Sequence, residues 1–252
     1  MLEPLLRVLT CGGLDPTAGA GVTADARMIQ LRMAVPLTVA TCITVQNRNR
    51  FESVHPVDIS LVRRCLHAVV EDGPVHAVKL GLMPDARTLE ATVEALATSL
   101  AEVPLVVDPV LLSTASGMRA DPELAAAYRE MLPMVTVLTP NQAELGRLAP
   151  QGVQQLLGAG CGGVLVTNGD GREEEVTDRL YRLDDMSEFV HPRLPVGRVH
   201  GTGCALATTV AVHLARGEGL EEASATAVRI VARCLEATTP GTNGELVPLN
   251  LI

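Results

Sequence analysis

Short apolar runs, rich in valine, leucine and isoleucine, alternate along the chain with longer segments of helical spacing. The apolar runs predict strands at 5–11, 36–45, 75–81, 104–110, 134–141 and 162–170, and two less buried strands near 178–183 and 187–191. The helical segments lie after Gly21, near 57–71, from Asp85 to about 101, at 121–131, shortly before 162, at 203–216 and at 219–238. Asp85 is the predicted N-cap of its helix, and Gly217 is predicted to end the helix at 203–216.

Strands that are apolar along their whole length and alternate with helices are typical of a parallel sheet covered on both faces. This pattern indicates an α/β fold, and the length favours a single domain over residues 1–252. Polar residues follow the predicted strands in the stretches CGGLD, TVQN, VDPV, TPNQAE and TNGD. Because ligands of such folds bind at the carboxyl ends of the strands, we expect the functional site at that edge of the sheet.

The composition argues against two classes of partner. A net charge of −9 argues against a nucleic acid or an anionic membrane surface as partner. No apolar run reaches the ~18 residues that cross a bilayer. The six cysteines form no CxxC pair, which favours a reducing, cytoplasmic setting over a disulfide framework. Lys79 is the only lysine of the chain, and its other Lys/Arg positions are all arginine.

The stretch VHGTGCALATTVAVHLARG places a glycine-rich turn directly before an apolar helix. Gly201 and Gly203 flank Thr202, and Cys204 follows. Free backbone amides and the positive end of the helix dipole predict an anion site here. A cysteine in this place is expected to have a lowered pKa and to act as a base or nucleophile. The alternative is an ordinary glycine turn with a small buried cysteine.

A second glycine-rich stretch, CGGLDPTAGAGVTAD, connects the first strand to the first helix. Its glycines allow a ligand to approach the main chain closely. Asp15 can accept hydrogen bonds from a substrate hydroxyl or amine, or it can form an Asp-Pro turn. Asp25 is interpreted as structural. His200, which precedes Gly201, either lines the site or makes a structural hydrogen bond.

Polar residues after three further strands are candidates for metal or ring recognition. Asn141 and Glu144 share one face of a first helical turn, where they can organise hydrated Mg²⁺. A capping box is the alternative, and the spacing alone favours it. Asp108, after a buried strand, is either a further acid near the metal or a turn residue. Gln46 and Asn47 follow a strand, and a buried glutamine can pair with a heterocycle edge, although loop capping is the alternative.

Taken together, several stretches resemble one family, the hydroxymethylpyrimidine/phosphomethylpyrimidine kinases of thiamine biosynthesis, within the ribokinase-like superfamily. They are GGLDPTAGAGVTADARMIQ, TVQN, VKLG, VVDPVLL, LTPNQAE and HGTGCALATTVAVHLARG, in the family's order and along nearly the whole chain. The resemblance implies a three-layer α/β/α fold with a central, mostly parallel sheet. It implies ATP- and Mg²⁺-dependent phosphorylation of 4-amino-5-hydroxymethyl-2-methylpyrimidine, often followed by phosphorylation of the monophosphate, and it suggests a homodimer.

The resemblance also assigns roles to individual residues. The anion hole would consist of Gly201, Thr202 and Gly203, with Cys204 at the position of the catalytic base. The pyrimidine pocket would be lined by Ala20, Thr44, Gln46, Leu82 and Val110, with Asp15 beside it. The metal residues would be Asp108 and Glu144, and the residues near ATP would be Asn141, Thr167, Asn168 and Arg198.

The chain departs from the family pattern at basic positions. It reads VLLSTASG where the family has a lysine in VxxKSGD, and TNGD, ending in Asp170, where the family has KGGH. LPVGRV precedes the glycine turn in place of a Thr-Lys-Asn-Thr-like run, with Arg198 as a candidate replacement charge. Three hypotheses therefore stay open: a pyrimidine kinase, a kinase for another ring alcohol such as pyridoxal, and a pyrimidine sensor without turnover. Cys204→Ala separates them, since it abolishes turnover in the first two and spares binding in the third.

Overall fold

The computed structural model describes residues 5–47, 50–111, 122–169, 171, 173–195 and 199–238. Within these residues, nine strands form one sheet in the order β3-β2-β1-β4-β5-β6-β7-β8-β9. The strands are β1 (Arg7–Leu14), β2 (Val35–Asn47), β3 (Arg50–Pro56), β4 (Ala77–Leu80), β5 (Leu105–Val107), β6 (Val137–Leu138), β7 (Val164–Val166), β8 (Glu175–Tyr181) and β9 (Met186–Pro192). Strands β2, β1, β4, β5, β6 and β7 run parallel, whereas β3, β8 and β9 join antiparallel at the two edges.

Helices cover both faces of this sheet, as expected for three layers. They are α1 (Gly21–Leu31), α2 (Ile59–Glu71), α3 (Ala86–Ser99), α4 (Pro122–Glu130), α5 (Gln142–Leu148), α6 (Gln154–Gly158), α7 (Thr202–Ala215) and α8 (Leu220–Glu236). Successive residues of the central strands point to opposite faces. On β5, Leu105 and Val107 join the apolar core that includes residues of α2 to α6, and Val106 joins the core beneath α1, α7 and α8. The predicted α/β/α architecture with a mostly parallel sheet is confirmed.

Two helix ends follow the sequence signals. The Asp85 side chain accepts a hydrogen bond of 2.7 Å from the Thr88 amide, which confirms Asp85 as the N-cap of α3. Gly217, with a φ of +82°, follows the C-cap of α7 and ends that helix. None of the described helices is long and apolar enough to cross a bilayer.

The edge of the sheet next to β1 differs from the prediction. Strand β2 continues to Asn47 and pairs with β3, which the apolar pattern does not predict. All seven positions of the β3 segment RFESVHP are exposed or half-buried. Gln46 and Asn47 therefore lie on a strand, opposite Phe51 and Arg50, and the expectation that they follow a strand is wrong.

Candidate active site

The carboxyl ends of the parallel strands meet at one edge of the sheet, and the residues singled out from the sequence gather there. They lie after β1 (Asp15, Ala20), on β2 (Thr44, Gln46), after β4 (Leu82), after β5 (Asp108, Val110), after β6 (Asn141, Glu144), after β7 (Thr167, Asn168) and at the start of α7 (Gly201, Thr202, Gly203, Cys204). Arg198 and Asp170 lie outside the described residues.

The turn at the start of α7, residues 201–204, is shaped by a close approach of two backbones. Gly201 is the N-cap, with a φ of +87°. A Cβ atom at this position would lie 2.1 Å from the Gly19 carbonyl oxygen, so only glycine fits. The first helical hydrogen bond runs from the Ala205 amide to the Gly201 carbonyl, and no described side chain caps the helix. The amides of the α7 turn are thus available to an anion.

Cys204 lies between the first turns of two helices. The Gly21 amide, at the start of α1, donates to its sulfur, and the thiol contacts the Asp108 carboxylate. Part of Cys204 reaches the surface, yet the thiol is closely surrounded by protein. Burial raises the pKa of this thiol to about 12, and Asp108 and Asp25 add to the effect of burial, which Lys79 and the Gly21 amide only partly oppose. The expectation of a lowered pKa is therefore wrong, and the free protein holds a neutral thiol at pH 7.

Asp15 is a buried junction between the loop after β1 and the α7 turn. Its Oδ1 atom accepts hydrogen bonds of 2.9 Å from both the amide and the hydroxyl of Thr17. Its Oδ2 atom accepts one of 3.1 Å from the Ala20 amide and lies 3.2 Å from His200 Nε2. Gln46 also donates to this carboxylate. The protein thus occupies the oxygens of Asp15, and its role is to join Thr17, Ala20, Gln46 and His200, which we call the Asp15 cluster.

The electrostatics of Asp15 follow from these contacts. Burial raises the pKa of its carboxyl, but the hydrogen bonds from His200, Thr17 and Gln46 outweigh burial and bring the pKa down to about 2. The sequence leaves two roles open for His200, lining the site or making a structural hydrogen bond. In the structure it makes the structural hydrogen bond, to Asp15. Its partner is 185 positions away in the chain, so no local pattern could have indicated the pairing.

The remaining predicted pocket residues, Thr44, Leu82 and Val110, lie on β2, after β4 and after β5. The Thr44 hydroxyl, buried, donates to the Leu14 carbonyl at 3.1 Å, so it fixes the end of β1 against β2. The Leu82 carbonyl accepts from the Thr41 hydroxyl at 2.8 Å, and the Leu82 side chain packs directly over Gly13. The Val110 side chain is half-buried at the end of the next parallel strand. Leu82 and Val110 thus supply apolar surface, and Gln46 supplies a polar group.

Asn141 and Glu144 form the capping box that the spacing favours. The Glu144 amide donates to Asn141 Oδ1 at 2.9 Å, and the Asn141 amide donates to Glu144 Oε2 at 3.0 Å. Within the described residues, no group of three His, Cys, Asp or Glu side chains is placed to hold a metal ion. Asp108 and Glu144 nevertheless follow adjacent parallel strands, and oxygen ligands of this kind suit a Mg²⁺ ion that keeps most of its water.

Thr167 and Asn168 follow β7, beside the capping box. The Thr167 amide donates to the Pro140 carbonyl at 3.0 Å, and the Asn168 amide donates to Asp178 Oδ1 at 2.9 Å. Arg193, after β9, donates to the carbonyls of Asn168, Gly169 and Glu173 and ties this loop to the sheet edge. The sequence gives no signal for Arg193, because its partners lie 20 to 25 positions away and are backbone atoms.

A buried lysine, which the sequence marks only by its rarity, lies beneath the site. The Lys79 ammonium is 2.9 Å from Asp25 Oδ2 and 4.0 Å from Asp108 Oδ2. We call Asp25, Lys79 and Asp108 the buried charge cluster. Burial lowers the pKa of Lys79, but the nearby Asp25, Cys204 and Asp108 outweigh it and hold the pKa above the usual range. Burial raises the pKa of Asp108, which Lys79 and the Cys204 thiol oppose.

Comparisons with known proteins identify similar sequences and structures. The chain is 36% identical over 256 residues to the hydroxymethylpyrimidine/phosphomethylpyrimidine kinase of Mycobacterium tuberculosis, covering 93% of this chain and 90% of the relative. It is 31% identical to the thiamine biosynthetic bifunctional enzyme TH1 of Arabidopsis thaliana, of whose length it spans only 46%. Its structure resembles that of the Staphylococcus aureus pyridoxal kinase in complex with AMP-PCP, with a TM-score of 0.85, 25% identity and coverage of 93% and 89% of the two chains.

The family model described as phosphomethylpyrimidine kinase matches residues 15–250, which include the Asp15 cluster, the capping box and the α7 turn. The chain therefore belongs to the phosphomethylpyrimidine kinase family, and its fold is ribokinase-like.

Proposed function

We propose that this chain is a single ribokinase-like kinase domain that transfers the γ-phosphoryl group of ATP to 4-amino-5-hydroxymethyl-2-methylpyrimidine, to its monophosphate, or to both. The observation that carries the proposal is the α7 turn, whose uncapped amides lie beside the Cys204 thiol and next to the Asp15 cluster. The family membership of the chain supports the same reaction. An anion-binding turn adjoining a small pocket is the arrangement that phosphoryl transfer to a ring alcohol requires.

The amides of the α7 turn would bind the transferring phosphoryl group, where negative charge must be stabilised. Gln46 would bind the polar edge of the ring, and Leu82 and Val110 would contact its faces. Cys204 would accept the hydroxyl proton. Because burial holds its pKa at about 12 in the free protein, the thiol must first release its own proton to solvent, and the resulting thiolate can then accept the hydroxyl proton. Phosphoryl transfer through a loose transition state places little demand on early deprotonation.

The nucleotide side would be formed by Asn141, Thr167 and Asn168. Asp108 and Glu144 would hold Mg²⁺ through its water shell, and the ion would supply charge neutralisation for the phosphates. Arg198 stays a prediction as a contact of ATP. The cytoplasmic location and the homodimer also stay predictions.

Pyridoxal is a second candidate substrate, because the S. aureus pyridoxal kinase is similar to this chain over 93% of its length. The two ring alcohols share a hydroxymethyl group on a six-membered nitrogen heterocycle. Both would place the acceptor hydroxyl at the α7 turn and the ring against Leu82 and Val110. A direct comparison of the two substrates under the same conditions is therefore part of the test.

The test is incubation of the purified protein with ATP, Mg²⁺ and either the hydroxymethylpyrimidine, its monophosphate or pyridoxal, followed by mass spectrometry of the products. Pyrimidine mono- or diphosphate supports the proposal, and pyridoxal phosphate alone supports the second candidate. Cys204→Ala is expected to lower turnover by about 10² to 10⁴-fold. Cys65→Ala, at an exposed cysteine of α2, is the matched control and keeps full activity. Pyrimidine binding by calorimetry without any product would instead identify a sensor.

A further inference from the structure

Lys79 is the one lysine of the chain, and its side chain is buried. The other 19 of the 20 Lys/Arg positions of the chain are arginine, so this one lysine is an exception in its composition. Its side chain is 1% exposed, and a Cβ atom at Gly81 would lie 2.8 Å from the ammonium nitrogen. The ammonium nitrogen is thus closely enclosed by the protein.

The ammonium ion is anchored from one side by Asp25. Asp25 Oδ2 accepts from Lys79 at 2.9 Å and from the Thr10 hydroxyl at 2.6 Å, and Oδ1 accepts from the Thr208 hydroxyl at 2.8 Å. These groups come from β1, α1, β4 and α7, so Asp25 is satisfied by three donors in the rigid interior of the fold.

On its other side, the ammonium ion faces the residues of the candidate active site. Asp108 Oδ2 lies 4.0 Å from Lys79 Nζ, and Asp108 in turn contacts the Cys204 thiol. Asp108 is 6% exposed, and a buried carboxylate without a nearby cation is strongly disfavoured. Among the described residues, the cation paired with Asp108 is Lys79.

We propose that Lys79 is a positioning residue of the phosphoryl-transfer site: held by Asp25, its ammonium ion keeps the Asp108 carboxylate oriented toward Cys204 and the α7 turn. The proposal rests on the kinase function proposed above. If the Lys79–Asp25 pair served stability alone, neutral groups of similar size could replace both residues without loss of rate. Such a replacement would leave no unpaired buried charge from this pair.

The test compares Lys79→Met with the double variant Asp25→Asn/Lys79→Met. Lys79→Met leaves Asp25 without its cation and is expected to be unstable, whereas the double variant removes both charges and keeps the shape. We expect the folded double variant to show kcat lowered by about 10²-fold, because charge at the reacting centre is no longer organised. Its KM values for ATP and for the pyrimidine should change by less than about threefold, since Lys79 touches neither ligand.

The matched control is Arg182→Met, which removes a cation with two acidic partners, Asp185 and Glu221, at the opposite edge of the sheet. It should keep the wild-type kcat. A folded double variant with wild-type kcat would overturn the proposal and make the pair purely structural.

A readout that needs no turnover separates this proposal from the kinase function. In a crystal structure of the double variant, we expect the Asp108 carboxylate to have turned away from the Cys204 thiol. An Asp108 carboxylate that stays in contact with the thiol overturns the role of Lys79, even if the kinase function holds. If the wild-type protein phosphorylates none of the ring alcohols, the kinase function fails, and the position of Asp108 still decides whether Lys79 orients it.

Discussion

Gly201→Ala tests whether the close approach of the α7 turn to the loop after β1 sets the rate of phosphoryl transfer. A Cβ at this position would lie 2.1 Å from the Gly19 carbonyl oxygen, whereas ordinary contact begins at 3.4 Å, so the two backbones must separate by about 1.3 Å. A misplacement of about 1 Å at a reacting centre can cost about 10²-fold in rate. The left-handed φ of +87° adds roughly 1–2 kcal/mol of strain for alanine. We therefore expect a folded protein with kcat reduced by about 10²-fold.

The control lies at the other end of the same helix. Gly217 has a φ of +82°, and a Cβ there meets no described atom within 4 Å, so Gly217→Ala imposes the same backbone strain without the clash. In urea titrations both variants should lose roughly 1–2 kcal/mol of the free energy of unfolding to the strain, and Gly201→Ala should lose more because of the clash. Only Gly201→Ala should lose kcat in the product assay. Equal kcat for the two variants would refute the link between this backbone contact and the reaction.

Three further predictions concern the buried titratable groups. Because burial holds the pKa of the Cys204 thiol at about 12, kcat/KM should rise with pH from about pH 6 to about pH 9. A pH profile of kcat/KM that reaches a plateau near neutrality would contradict Cys204 as the base. Asp15→Asn should lower the free energy of unfolding at pH 7 by about 2 kcal/mol, because the pKa of Asp15 in the folded state, about 2, lies below its ordinary value of 3.8. Urea titrations should show this difference shrinking as the pH falls from about 4 towards 2. Tyr128→Phe should raise the melting temperature, since the Tyr128 hydroxyl is buried without a hydrogen-bond partner among the described residues and costs about 1–3 kcal/mol; a lower melting temperature would indicate a water or ion bound to it.

Much of the fold could be predicted because its signals are local. Apolar runs and helical spacing identify the six parallel strands and most helices, and the caps at Asp85 and Gly217 follow from single residues. The β3 strand could not be predicted, because its segment is mostly polar and becomes a strand only by pairing with the extension of β2. A strand at an open edge of a sheet needs no apolar run.

The place of the candidate site residues in the fold could be predicted, but their hydrogen bonds and pKa values could not. The sequence indicates which residues meet at the carboxyl edge, because strand ends in a parallel sheet share that edge. It does not indicate the pKa of Cys204, which depends on Lys79, Asp25 and Asp108 from three other elements. Nor does it indicate that the oxygens of Asp15 are occupied by the protein. Local helix-dipole reasoning therefore gave the wrong direction for the thiol.

The Asp15 cluster makes Gln46 harder to substitute than Leu82. Gln46 is bonded to the same carboxylate that holds His200, so a substitution of Gln46 chosen to fit a new ring would also loosen the α7 turn that we propose to bind the phosphoryl group. Leu82 has no part in that cluster and packs against Gly13. If the proposed pocket holds the ring, a substitution at Leu82 would change selectivity for the ring alcohol without loosening the α7 turn, and the similarity of the chain to both pyrimidine and pyridoxal kinases fits such a change.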